Sequence, residues 1–511
     1  MISLNCKTIA IIGAGPSGLA AAKYCRAEKA FSKIVVFEQR SSTGGVWNYT
    51  PSERSESLFT IPRTDPSGGV QEPVWKEVGK SMDDLFIRTK EVANRDRENK
   101  VPVFVSPVYD ELETNIPRPL MGFSDLDWPR EAQLFPKHET VLQYIQKYGE
   151  GVQDLVQLET QVVNVEPADL QPTGAWRVRT RNLRSGEEKE DDFDAVIVAN
   201  GHFIVPYVPD IPGIKEWSEK FPWSISHSKY FRNRRTFAAK KVIVVGNAAS
   251  GVDISTQIAP ICKHPLLWSN KSASRLSPSP SSLKRDLPPI KSLDPSTRTV
   301  EFEDGTIESA VDFIIFATGY FYSLPFLSNT SPPLITNGSR VENTYKHLFY
   351  APRPTLSFVA LPQRVIPFPI AEAQSSVLAR VYSNRLSLPA YHEMKKWEEK
   401  RLAEVTAVGG TGNTGGDGEK SFHLLLFPKD GNYINELCSW ASRAEPREGL
   451  ENEGHGKVAK RWGEWEFWCR DNFPAIKRAW VEKADERHGI RTLDELGGFV
   501  FEEKDGERRE G

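Results

Sequence analysis

The stretch Thr8-Ile-Ala-Ile-Ile-Gly13-Ala14-Gly15-Pro16-Ser17-Gly18-Leu19 decides the fold. Five apolar or β-branched residues read as a strand buried on both faces, and G-x-G-x-x-G follows directly. Gly13 permits a tight turn, Gly15 lets backbone approach a pyrophosphate, and Gly18 allows a helix to pack closely on the strand. The helix N-terminus behind them, with free N–H groups and the positive end of its dipole, favours an anion. An acidic residue is expected about 20 positions on. Glu38 fills that place at the end of Lys33-Ile-Val-Val-Phe-Glu38.

A second copy reads Lys241-Val-Ile-Val-Val-Gly246-Asn-Ala248-Ala-Ser250-Gly251-Val252-Asp253-Ile. Its middle glycine is Ala248, whose methyl group should hold a pyrophosphate slightly away. The next strand, Pro265–Trp268, leads into Asn270-Lys271 with no acidic residue, and Arg275 follows. Cations attract a 2′-phosphate where a carboxylate would repel it, so NADPH is favoured over NADH. Lys271 and Arg275 also read as plain surface cations. Further buried strands are expected at Ala195–Ala199 and Phe313–Ala317, and helices at Leu19–Glu28 and Val252–Ile258. This order is that of a doubly wound α/β fold.

The chain has 511 residues, 39% hydrophobic and 26% charged, which excludes a disordered or fibrous protein. With 65 Lys+Arg against 68 Asp+Glu, the net charge of −3 gives no reason to expect nucleic acid or an anionic membrane. Five scattered cysteines without C-x-x-C disfavour a disulfide scaffold, a zinc ribbon or a redox dithiol, and fit a reducing, cytoplasmic setting. No run is long enough to span a bilayer, and no metal site is expected. Loops or linkers are expected at Thr50–Gly69, Leu276–Pro289, Val408–Gly418 and Glu445–Lys460, and Arg181–Asp192 reads as a charged turn between Trp176–Thr180 and Phe193–Ala199, a hairpin or strand connection. No repeat of 20–50 residues is visible.

Gly44-Gly45-Val46-Trp47 after Glu38 resembles the second FAD fingerprint of two-dinucleotide flavoproteins, although Trp47 alone could be a core residue. The string Tyr109-Asp-Glu-Leu-Glu-Thr114-Asn115-Ile-Pro117, continued by Met121-Gly-Phe-Ser-Asp125, resembles the Y-x-x-L-x-T-N-x-P motif of flavin-containing monooxygenases. Phe313-Ile-Ile-Phe-Ala-Thr-Gly-Tyr320 is similar to that family's F-A-T-G-Y box. The strings at Tyr345–Tyr350, Pro354–Phe358 and Pro367–Gln374 continue the likeness, and the later part resembles the fungal branch. The identifying string F-x-G-x-x-x-H-x-x-x-F/Y is kept at Phe221, His227 and Phe231, but Trp223 replaces its glycine, so the loop is expected to differ there.

The resemblance implies two Rossmann-like dinucleotide-binding domains in an α/β fold, one for FAD and one for NADPH, the second inserted into the first. The expected boundaries are 1–214 for the first part of the FAD domain, 215–330 for the NADPH domain, and 331–511 for the remaining FAD domain with a helical extension. It implies NADPH- and FAD-dependent insertion of one atom of O₂ into sulfur or nitrogen of a small molecule, through a C4a-hydroperoxyflavin, as in thiol or N,N-dialkylaniline monooxygenases. Partners are then a small-molecule substrate and O₂, with a homo-oligomer possible.

Cofactor-binding residues carried over are Gly13, Ala14, Gly15, Pro16, Ser17, Gly18, Glu38, Val46, Trp47, Thr114, Asn115 and Gln374 for FAD. Gly246, Ser250, Gly251, Val252, Asp253 and Lys271 serve NADPH. Asn115 is the catalytic candidate, because an amide donates and accepts at once; read by itself it would be a turn former. His227 reads either as a structural loop histidine or as a participant, and Gln374 otherwise as a helix-surface residue. Two alternatives stand beside this reading. A Baeyer–Villiger monooxygenase usually has Trp-Pro where this chain has Phe231-Arg232, and a flavin-binding sensor without turnover is suggested by Trp223 and Ala248.

Overall fold

The computed structural model describes residues 1–51, 58–77, 100–271, 282–409 and 418–502. Thr8–Ile12 forms the middle of a seven-stranded sheet, pairing in parallel with Lys33–Phe37 on one side and Ala195–Val198 on the other. The order continues through Val156–Gln157 at one edge and through Leu356–Phe358, Phe349–Tyr350 and Thr344–Tyr345 at the other. All five residues of the first strand lack alternation because helices cover one face and a second layer covers the other. Pro16–Ala27 is the first helix, starting three residues earlier than the apolar pattern suggests, since proline tolerates the first helical position.

A five-stranded parallel sheet lies between these sequence segments, in the order Ile225–His227, Phe313–Phe316, Val242–Val245, Leu266–Ser269, Lys284–Leu287. Its helix, Ala249–Ile258, also starts three residues earlier than expected. The two sheets share one plan. In each, the glycine-turn strand lies between the next strand in sequence and a returning strand. An antiparallel three-stranded sheet precedes the return: Thr160–Pro167, Trp176–Asn182 and Glu188–Phe193 in the first, and Ile290–Asp294, Thr299–Phe302 and Ile307–Ser309 in the second. The internal duplication is thus one of topology, too long and too diverged to register as a short sequence repeat. A two-stranded link, Val205–Pro206 with Tyr320–Phe321, joins the passages into and out of the inserted unit.

Arg181–Asp192 is the charged end of a hairpin, as its place between two strand-like runs implies, with Glu188–Phe193 paired to Trp176–Asn182. Polar residues suit it because its outer face is in water. Part of Leu276–Pro289 is the edge strand Lys284–Leu287, whose Lys-Arg-Asp face guards the edge of the sheet. Arg275 and most of Val408–Gly418 lie outside the described residues.

Pro367–Tyr382 is buried along almost its whole length, as a helix without a polar face must be. It packs on Pro16–Ala27, and Arg385 just beyond it donates from Nη1 to both carboxylate oxygens of Glu28, at 3.0 Å each, inside the protein. The C-terminal helices are Tyr391–Gly409, Lys429–Ala441 and Glu464–Glu482. Trp462 is buried, and Trp465, Phe467 and Trp468 pack on the main core. No helix among the described residues is long and apolar enough to cross a membrane.

Candidate active site

Gly13 has φ +103°, and a Cβ there would stand 2.6 Å from the Ala199 carbonyl oxygen. A Cβ on Gly18 would lie 1.8 Å from the Gly13 carbonyl, so the helix could not start where it does. Gly15 meets a different constraint: a Cβ on Gly45 would come within 2.9 Å of the Gly15 Cα. The paired glycines Gly44 and Gly45 are therefore the surface on which the glycine turn rests, and Gly44 N–H donates to the Ala14 carbonyl at 2.9 Å. Val46 is tied down by the Ser106 hydroxyl, and Trp47 packs against the main core.

Glu38 does more than the sequence suggests. Its carboxylate is buried and accepts the Ala14 and Arg40 backbone N–H groups, each at 2.8 Å. It thereby braces the glycine turn, and burial pushes its pKa up against these hydrogen bonds. A carboxylate has about four acceptor positions, so two remain for ribose hydroxyls. The helix behind Gly15 has no side-chain cap. A glycine cradle, an uncapped N-terminus and an acidic residue beside them fit the FAD pyrophosphate and ribose.

The second crevice repeats this geometry. Gly246 has φ +105°, its Cβ would lie 2.5 Å from the Ala317 carbonyl, and one on Gly251 would lie 2.1 Å from the Gly246 carbonyl. Ala248 has φ −77° and ψ −173°, close to the −74° and −177° of Gly15. The backbone needs no glycine there, and Ala248 is exposed at the mouth. The methyl group costs the turn nothing; its effect is confined to the ligand side. Ser250, Gly251 and Val252 form the first turn, again without a side-chain cap, which fits NADPH. Lys271 is exposed, at the end of strand Leu266–Ser269. Beside it Asn270 donates to Asp286 at 3.1 Å, so the edge strand supplies an acidic group to the neighbour of Lys271.

Three expectations are refined. Trp223 holds φ +72°, a left-handed conformation that favours glycine, with its ring 64% exposed. The tryptophan thus holds a backbone conformation open to glycine while its side chain is turned outward. Gln374 is not a surface residue: it is fully buried, its carbonyl accepts Ala360 N–H at 2.7 Å and its amide donates to the Tyr433 hydroxyl at 3.0 Å. Asp253 is turned toward the first domain, where it accepts from the Tyr109 hydroxyl, and Gln257 donates to it at 3.1 Å. It therefore joins the two units rather than facing the mouth of its own crevice.

His227 is buried, with Lys229 N–H donating to Nδ1 at 3.1 Å and Nε2 facing the Gly319 carbonyl at 3.0 Å. These partners define one neutral tautomer, and burial lowers its pKa to about 3. It is a structural brace between the two passages linking the units. Thr114 is buried; its hydroxyl donates to the Ile116 carbonyl at 2.9 Å. Asn115 is half-buried, and among the described residues its amide has no hydrogen-bond partner. Its neighbours are gripped from an unforeseen quarter: Lys477 donates to the Thr114 carbonyl at 2.8 Å and the Trp480 indole to Glu113 at 3.0 Å. The i, i+3 spacing puts Lys477 and Trp480 on one helix face, but nothing in the sequence connects that face to residue 113.

All five cysteines are free, four of them buried, and burial pushes the Cys6 thiol up to about 12. Among the described residues no cluster of His, Cys, Asp and Glu could hold a metal ion.

Two glycine-cradled Rossmann units, one inserted in the other and joined through Tyr109 and Asp253, define a flavoprotein with two dinucleotide sites. The family model "Flavin-binding monooxygenase-like" matches residues 96–278 and 290–415, and an "NAD(P)-binding Rossmann-like domain" matches 11–60. The chain belongs to the flavin-containing monooxygenase family, and its cofactors are FAD and NADPH. It is 34% identical to flavin-containing monooxygenase FMO GS-OX3 of Arabidopsis thaliana over 80% of each chain. It is 30% identical to flavin-containing monooxygenase iboF of Amanita muscaria, over 86% of this chain and 89% of that one. The solved structure of S-allyl-L-cysteine S-oxygenase from Allium sativum superposes with a TM-score of 0.72 at 28% identity, covering 97% of this chain and 98% of the other.

Proposed function

We propose that the protein uses NADPH as electron donor and places one atom of O₂ on the sulfur of a small molecule, with nitrogen as the second acceptor. The observation that carries this reading is Asn115: an amide without a protein partner, on a segment held rigidly where the first unit meets the glycine-turn helix of the second. Sulfur is preferred because the Allium sativum structure is that of an S-oxygenase acting on S-allyl-L-cysteine.

FAD, when bound, supplies the activation of O₂, and NADPH the two electrons. The chain's own residues bind and orient. Gly13–Gly18 with Gly44 and Gly45 would hold the FAD pyrophosphate, Glu38 the ribose, and Val46 and Trp47 the wall beside them. Gly246 to Val252 would hold NADPH, with Lys271 toward its 2′-phosphate. Asn115 would donate to one reacting partner while accepting from another, so that both stay aligned. The neutral His227 brace keeps the Gly319 turn at the link between the units. In this division residues 1–214 and 331–511 form the FAD-binding part and 215–330 the NADPH-binding part.

The test compares a thioether, a tertiary amine and a cyclic ketone, with NADPH and NADH as donors. The expected result is sulfoxide as main product and kcat/KM for NADPH about tenfold or more above that for NADH, the scale of one charge-assisted contact. Ester from the ketone as the exclusive product, or no oxygenated product at all, would overturn the reading.

A further inference from the structure

The helix Glu464–Glu482 lies beyond residue 415, where the family match ends, yet it reaches the segment that carries Asn115. Lys477 Nζ stands 2.8 Å from the Thr114 carbonyl oxygen and 3.9 Å from Glu113 Oε2. One turn on, the buried Trp480 donates to the same carboxylate at 3.0 Å. Gln133 and Arg487 complete the grip on Glu113 at 3.3 and 3.5 Å. From the other side, Thr114 N–H donates to the Pro136 carbonyl at 3.0 Å. Thr114 is therefore held at both of its backbone polar atoms, its N–H in the peptide group before it by Pro136 and its carbonyl in the Thr114–Asn115 peptide group by Lys477.

We propose that Lys477 is a positioning residue of the oxygenation site: its ammonium fixes the peptide plane that orients the Asn115 amide, and so makes the C-terminal helix part of the active site. The inference deepens the function proposed above and rests on it. A charge-assisted hydrogen bond is about twice as strong as a neutral one, and a carbonyl so held cannot rotate without breaking it. Loss of the hold lets Asn115 swing, and oxygen transfer then competes poorly with release of peroxide. The coupled reaction consumes NADPH, H⁺, O₂ and substrate and gives NADP⁺, water and oxygenated substrate. The uncoupled one consumes NADPH, H⁺ and O₂ and gives NADP⁺ and hydrogen peroxide.

The surroundings make this hold pH-sensitive. Facing Lys477 are Glu113, Asp253 from the second Rossmann helix, Arg487 from the turn after the lysine's own helix, and the Phe135 ring at 4.4 Å, while His488 from the same turn lies 3.6 Å from Glu113. Burial lowers the lysine to about 8, Glu113 and Asp253 partly oppose this, and Arg487 adds to it. The proton is present below that value and lost as pH rises through it, so coupling should fall on the alkaline side.

The experiment uses FAD-loaded wild type, K477M and K477R, and measures oxygenated thioether and hydrogen peroxide per NADPH consumed from about pH 6.5 to about pH 9.5. A second readout, independent of turnover, is amide exchange in the peptide 109–121. The expected result is a wild-type coupling ratio that falls roughly threefold or more above about pH 8. K477M should be poorly coupled at every pH without that break, and K477R should hold its coupling to the alkaline limit. Exchange in 109–121 should quicken roughly tenfold in K477M and not in K477R. Wild-type coupling and pH profile in K477M, with unchanged exchange, would overturn the proposal. Should K477M lose FAD, K477Q carries the same readouts. A wild type that oxygenates nothing contradicts the proposed function, and the exchange result then decides on Lys477 by itself.

Discussion

Asn115 and His227 show how differently the marked residues of two family strings can act. Asn115 keeps its amide free among the described residues, so Asn115→Ala should retain FAD while most NADPH oxidation, roughly tenfold over residual oxygenation, is diverted to hydrogen peroxide. Assay of peroxide against product checks this, and unchanged coupling would remove Asn115 from the mechanism. His227 is neutral and enclosed, with its pKa lowered to about 3 by burial. The unfolded chain takes up a proton near pH 6.5 and the folded one does not, so the stability this group contributes is present above that pH and lost as pH falls below it. The stability gap between wild type and His227→Asn should therefore narrow by about 2 kcal/mol from pH 7 to pH 5, as read by urea unfolding. The glycines were legible in sequence because φ near +105° and contacts under 3 Å leave no other residue possible. Trp223 is harder to read, because a missing side chain looks the same in sequence whether it serves space or conformation.

At the scale of elements, short apolar strands followed by glycine turns announce themselves, whereas polar edge strands do not. Lys284–Leu287 reads as loop because three of its four residues are charged, yet charge is what an exposed sheet edge calls for. The helices Pro16–Ala27 and Pro367–Tyr382 are recognisable singly, but their joint depends on Glu28 and Arg385, which are 357 positions apart. Arg385 is 3% and Glu28 1% exposed. Arg385→Met should cost about 3–5 kcal/mol because it leaves a buried carboxylate unpaired, and adding Glu28→Gln should recover a large part of that. Denaturant unfolding of the two variants checks the pair. Equal losses in both would place the contribution in packing instead.

For the whole molecule, the order of motifs along the chain is enough to nest one Rossmann unit in the other, because a parallel sheet can be interrupted at a loop without losing its register. What sequence order cannot supply is the meeting of distant parts: Tyr109 with Asp253 across the two units, and Lys477 with Thr114 from the far end of the chain. These contacts hold Asn115 at the junction, so electron delivery and oxygen transfer become the work of one site. Reduction of the purified flavoprotein with NADPH under anaerobic conditions, followed by oxygen together with a thioether, puts this to the test. The expected result is loss of the flavin absorbance on NADPH addition, then its return with close to one sulfoxide formed per NADPH consumed. Absorbance that does not fall at any NADPH concentration, or returns with hydrogen peroxide as the only product, would contradict it.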